Sequence, residues 1–281
     1  MPLKSLLVFM DASEDSSTRL DVACGLAEQC DAHLDALSMS LQIFPYAAAS
    51  LDAGAAAIDI GQIEEAKQRA QQVAAEAQKV IEARGLSGEA RWTSRELSGL
   101  REAAAIQARF AELTVAGQPV AGSDRSLREW AFEGALFSSG RPVLLIPSSW
   151  KSAINVRHVI VAWDASREAA RALGDAIPFI EQAEKTTIVI VDPEPGNQAF
   201  GDEPGADIAR VLARHCDNVA VDRVPSSGAS IAQALLVHTV DAAGDVIVMG
   251  GYGHSPLRES IFGGVSSEMI RQTTVPLLLS H

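Results

Sequence analysis

Two stretches of this chain are versions of one another. Near the start, Leu6-Leu7-Val8-Phe9-Met10 runs into Asp11-Ala12-Ser13, and in the middle Val159-Ile160-Val161-Ala162-Trp163 runs into Asp164-Ala165-Ser166. Each is a short apolar run closed by Asp-Ala-Ser. A second pair of landmarks ends each half: Arg141-Pro142-Val143-Leu144-Leu145-Ile146-Pro147 is echoed by Thr274-Val275-Pro276-Leu277-Leu278-Leu279. A repeat of this kind constrains the fold more than any single motif, because both copies must build the same plan. The 281 residues leave room for two domains of ordinary size, which cluster near roughly 100–150 residues each. The second copy is shorter by about twenty residues, and the first carries the excess at 47–61 and in the helical stretch that follows.

Within each copy, apolar runs alternate with helix-like segments. In the second half the pattern predicts strands at 157–163, 186–192, 219–224, 245–250 and 275–280, with helices near 167–181, 207–215, 230–240 and 266–272. In the first it predicts strands at 5–10, 33–40, 88–92, 113–116 and 142–146, and a long helix over 62–84, rich in Ala, Gln, Glu and Lys. Near-continuous Val, Ile and Leu mark strands buried on both faces of a parallel sheet. Strand–helix alternation then makes each half a doubly wound α/β layer of five parallel strands. Such sheets take ligands beyond the carboxyl ends of their strands, where the strand order reverses. A short polar linker, Pro147-Ser148-Ser149-Trp150-Lys151-Ser152, separates domains expected at 1–148 and 153–281.

Charge narrows the function. The formal net charge is −13, both halves share it, and 47% of the residues are hydrophobic. An acidic field repels nucleic acid and anionic lipid, so neither is expected as a partner. Met1-Pro2-Leu3-Lys4 leads straight into the first strand without the segments of a signal peptide, and no apolar run approaches the ~18 residues that cross a bilayer. The expected compartment is the cytoplasm. Cys24, Cys30 and Cys216 are odd in number and show no repeated spacing, so they read as small buried hydrophobes.

One loop carries chemistry. After the strand at 245–250 the chain reads Gly250-Gly251-Tyr252-Gly253-His254-Ser255-Pro256-Leu257-Arg258-Glu259-Ser260-Ile261-Phe262-Gly263-Gly264-Val265-Ser266, and a helix follows. Glycines at 250, 251 and 253 let backbone turn sharply and approach a ligand. Gly263 and Gly264 precede a helix start, where free N–H groups and the positive dipole end favour an anion. His254 and Arg258 bring positive charge to the same loop.

With these residues the chain resembles the universal stress protein family in its tandem two-domain form. Nucleotide-binding members carry Gly-x-x-Gly, nine residues, then Gly-[Ser/Thr]; Gly250, Gly253 and Gly263 match, and Gly264 departs by lacking the hydroxyl. The resemblance also takes in the Asp-Ala-Ser openings and the proline-led final strands, and so spans nearly the whole chain. It implies two domains packed as a pseudo-dimer, their last strands meeting edge to edge over 142–146 and 276–280. It also implies a site for ATP or a related adenine nucleotide, with Mg as its companion. Carried over residue by residue, that site takes Ala162, Trp163 and Asp164 at strand one, Ile190 or Val191 at strand two, and Met249, Gly250, Gly253, Gly263, Gly264, Val265 and Ser266 at the loop, beside His254 and Arg258. Trp163 is the second departure, since nucleotide-binding members usually carry a smaller residue there. Its indole either stacks on adenine or plugs the pocket.

The first half lacks the loop. After Val115-Ala116-Gly117 come Gln118-Pro119-Val120-Ala121-Gly122, with wrong glycine spacing and a proline that removes a donor. It reads as a structural copy. Asp164 serves equally as a contact to ribose or base and as an Asx-turn. No pair of the six histidines shows metal-ligand spacing, and no metal site or catalytic residue is expected. None of the five lysines follows a glycine, and neither a Gly-x-Ser-x-Gly elbow nor a His-Glu-x-x-His helix is present. Three functions remain: a nucleotide-sensing stress regulator acting on a protein partner or on its own oligomerisation, a ligand-free interaction scaffold plugged by Trp163, and a slow ATPase or self-phosphorylating enzyme with Ser255, Ser260, Ser266 and Ser267 as acceptors. The first is favoured.

Overall fold

In the computed structural model, residues 3–42, 53–120, 125–193, 203–251 and 264–281 are described. They form two compact units. One comprises residues 2–141 with 151–153, and the other comprises 142–150 with 154 onward.

The first unit is a parallel sheet of β1 (Ser5–Met10), β2 (His33–Leu41), β3 (Gly88–Arg95) and β4 (Leu113–Gly117), in the order β3-β2-β1-β4. Helices α1 (Ser16–Cys30), α2 (Ala53–Ala83), α3 (Leu97–Ala108) and α4 (Arg125–Ser138) connect and cover it. Leu6, Val8, Leu34, Leu113 and Val115 are wholly buried, as continuous apolar strands between helical layers should be. The chain steps from β1 to β2 to β3 in one direction and returns to place β4 on the far side of β1. The strand order therefore reverses between β1 and β4.

The second unit repeats the plan with β6 (His158–Ala162), β7 (Lys185–Val191), β8 (Val219–Val224), β9 (Val246–Gly250) and β10 (Leu277–Ser280), joined by α5 (Arg167–Ile180), α6 (Ala206–Leu212), α7 (Ile231–Asp241) and α8 (Gly264–Gln272). The order β10-β9-β6-β7-β8 is parallel throughout. Beyond β10 lies one more strand, β5 (Val143–Ile146), running antiparallel with Leu277 opposite Leu145 and Leu279 opposite Val143. The two proline-led runs thus pair edge to edge, as the resemblance implies, and the pairing covers an apolar edge that would otherwise be free to recruit another strand. Here the order reverses between β6 and β9.

The Asp-Ala-Ser repeat has a shared local cause. Asp11 Oδ1 accepts from the Ser13 amide at 3.0 Å, and Asp164 Oδ1 accepts from the Ser166 amide at 2.9 Å. Both are Asx-turns that redirect the chain from strand to helix. In the second unit Ser166 goes on to cap α5, its Oγ accepting from Ala169 N at 3.1 Å.

Candidate functional site at the strand ends

In the second unit, β6 lies between β9 and β7. This neighbourhood brings the carboxyl ends of three strands together: Ala162, Trp163 and Asp164 after β6, Ile190 in β7, and Met249 and Gly250 in β9. Trp163 is half-buried and tied to the second strand, its amide donating to Val189 O at 2.9 Å. Ile190 and Met249 are buried. Asp164 is exposed, and both its amide-bound and hydroxyl-bound contacts go to Ser166, so its carboxylate serves the turn. The start of the glycine loop is pinned by Gly251 N donating to Ser280 O at 2.8 Å.

Gly250 has a packing reason for lacking a side chain. A Cβ there would stand 2.5 Å from Ala169 N and 2.6 Å from the Glu168 carbonyl carbon, inside the first turn of α5. Gly264 differs: it is the first described residue of α8, and a Cβ there would meet nothing within 4 Å among the described residues. Val265 is half-buried and Ser266 buried on the same helix, while the neighbouring Ser267 Oγ accepts from Arg271. Gly253, His254, Arg258 and Gly263, together with Ser255 and Ser260, lie outside the described residues.

The corresponding place in the first unit is filled by charge. Asp11, at the end of β1, is 4% exposed; Arg19 of α1 is 1% exposed and Arg128 of α4 is 7% exposed. Asp11 Oδ2 accepts from Arg19 Nη2 at 2.8 Å and from Arg128 Nε at 2.9 Å, and its Oδ1 accepts from Arg128 Nη2 at 3.3 Å. Ser13 donates to Oδ1 through both its amide and its hydroxyl. Arg128 Nη1 further donates to Asp15 Oδ2 at 3.1 Å and to Gln118 O at 3.0 Å. Two guanidiniums thus balance two carboxylates. Burial pushes the Asp11 carboxyl up, but the Arg19 and Arg128 charges outweigh it and hold the group well below the usual carboxylate range.

Gly117, at the end of β4, admits this cluster: a Cβ there would lie 1.7 Å from Arg19 Nη1. Beside Asp11, Gly117 and Arg128 remains a void of about 10 Å³, the size of one water. Met39 and Leu127 line that void and also an open cavity of about 350 Å³ between the ends of β1 and β2 and helix α2.

The sequence reading missed this cluster, although a signal was there. Arg19 falls on the same stripe of α1 as buried Ala23, Leu26, Ala27 and Cys30, and Arg128 on the stripe of α4 with buried Ala131, Phe132 and Ala135. A charge on an apolar stripe announces a buried partner. The second half carries Ala172 where the first has Arg19, each eight residues after its turn Asp. It keeps an acid, Glu168, where the first has Asp15.

Two α/β units, each with a point where its strand order reverses, make up the described chain. Residues 155–281, which hold the β6–β9 strand ends, match the model of the universal stress protein family. The fold of the whole chain is that of solved universal stress proteins. The universal stress protein from Archaeoglobus fulgidus DSM 4304 aligns with a TM-score of 0.66 at 19% identity, covering 98% of this chain and 95% of its own. A putative universal stress protein from Pseudomonas aeruginosa UCBPP-PA14 aligns with a TM-score of 0.62 at 15% identity, covering 99% and 93%. No curated protein matches the sequence. Among the described residues no helix is long and apolar enough to cross a membrane.

Proposed function

We propose that the chain is a stress-response regulator whose second unit binds an adenine nucleotide, ATP or a close relative, with Mg as its companion ion. The observation that carries this reading is the convergence of Trp163, Ile190 and Met249–Gly250 at the reversal between β6 and β9, in the half that matches the family. The apolar strand ends suit a base, and the amides at the start of α8, from Gly264 on, would face phosphate. Gly253, His254, Arg258 and Gly263 complete the phosphate side in this reading, with Val265 and Ser266 behind it. Ala172 in place of an arginine leaves this site without the ion cluster that fills its counterpart. Occupancy would alter how the protein meets a partner or a second copy of itself.

The scaffold reading rests on Trp163, which stands half-buried at the strand end where a base would lie. One substitution separates the two. Under the nucleotide reading with a stacking indole, Trp163→Val weakens ATP binding in calorimetry, by roughly 1 kcal/mol of lost stacking or about fivefold. If the indole is a plug, the same variant binds ATP more tightly than the unmodified chain. Mass spectrometry of small molecules released on denaturing the purified protein identifies any ligand carried through purification. Absence of nucleotide in that extract, together with no ATP binding by either chain, would reject the site.

A further inference from the structure

The first unit holds an arrangement that its role as a structural copy does not require. A lone buried ion pair would satisfy a turn aspartate, yet Asp11 receives two guanidiniums from two different helices and both donors of Ser13. Arg128 grips it as a fork, Nε to one carboxylate oxygen and Nη2 to the other, which is the geometry by which arginine takes a free carboxylate or phosphate. The donors exceed what the acids use. Arg19 Nε and Nη1 are buried with no hydrogen-bond partner among the described residues, and Nη1 approaches Asp15 only to 3.9 Å. The position is also that of a ligand site, at the reversal between β1 and β4.

From this we infer that the first unit contains an oxyanion seat, formed by Arg19, Arg128 and Ser13, whose resident occupant is the chain's own Asp11 carboxylate. The bare Gly117 makes room for the guanidinium wall of the seat, and Met39 and Leu127 line both the void beside it and the neighbouring cavity. Asp164 makes the same Asx-turn in the open, with Ala172 in place of the arginine, so the turn itself does not demand the seat. The ligand class that fits is a small carboxylate or inorganic oxyanion, and in the intact chain it is displaced permanently by the tethered one. This unit therefore holds its occupied form without any ligand, whether or not the second unit binds nucleotide.

Vacating the seat tests the inference. In Asp11→Ala of the full chain, formate, acetate or inorganic phosphate should raise the melting temperature saturably above a chloride control of equal ionic strength. The unmodified chain should respond to these anions no more than to chloride. Adding Arg128→Leu to the alanine variant should abolish the rescue. A folded Asp11→Ala protein that formate and phosphate stabilise no better than chloride overturns the seat. If the alanine variant folds only poorly, refolding yield is compared in formate and in chloride: a higher yield in formate supports the seat, and equal yields overturn it. Asp11→Asn gives a second readout, since it keeps the shape but loses the charge. It should melt below the unmodified chain, and equal stability would show that no oxyanion is being held.

Discussion

At the scale of residues, the two Asx-turns show how one short motif is put to different uses. Asp11 and Asp164 make the same hydrogen bond to a serine amide two residues on, but Asp11 is buried between arginines and Asp164 stands in solvent. Burial with charged donors makes the first one pH-sensitive. Asp11 and Asp15 both titrate below their ordinary range in the folded chain: burial pushes each up, and Arg19 and Arg128 together outweigh it. The unfolded chain therefore takes up these protons first, near the ordinary ~3.9. The stability contributed by the cluster is complete above that value and is lost as pH falls through it towards the folded values. Urea midpoints measured from pH 7 to pH 3 should hold level and then drop below about pH 4–5. In Asp11→Asn the level should be lower and the acid drop shallower, and parallel curves for the two proteins would contradict this account. Arg128→Met, which leaves buried Asp11 and half-buried Asp15 with about half their donors, should cost about 3–5 kcal/mol in the same urea titrations at neutral pH.

Elements explain why two glycines of one loop are not equivalent. Gly250 ends β9 against the first turn of α5, and any side chain there collides with backbone. Gly250→Val should destabilise the second unit by on the order of 1–3 kcal/mol, as overpacking does, and thermal denaturation would show it with or without nucleotide. Gly264 begins the described part of α8, with nothing within 4 Å of its Cβ position among the described residues. Gly264→Ser should leave the melting temperature almost unchanged while restoring a hydroxyl to the phosphate side. A charge-assisted hydrogen bond contributes on the order of 1.5–3 kcal/mol, so ATP affinity should rise about tenfold or more. Calorimetry reads this directly, and an unchanged affinity would mean that phosphate does not reach α8. The long helix's boundary follows propensity. The long helix was expected over 62–84 and runs Ala53–Ala83, because an alanine-rich stretch continues a helix through Gly61. The strand over 219–224 falls where the pattern puts it.

For the whole molecule, the two halves share a plan and differ in what stands at the strand ends, which sets the expected stoichiometry. One equivalent of ATP per chain should bind in calorimetric titration, because Asp11, Arg19 and Arg128 occupy the first unit's position and its glycine loop is missing. Two equivalents of like affinity would refute this. The repeat, the strand–helix alternation and the parallel character of the strands were legible in the sequence alone, since period and composition report local burial. The convergence of Trp163, Ile190 and Met249 was legible only through the family resemblance, because it depends on β6 lying between β9 and β7. Strand order leaves no mark on any one segment. The charge cluster was not read at all. Its partners Asp11 and Arg128 are 117 positions apart and belong to a strand end and a distant helix. Sequence by itself determined the repeat and the strand–helix alternation; only the tertiary structure decided which acid the buried arginines meet, because that choice is made where chain reversal brings strand ends and helix faces together.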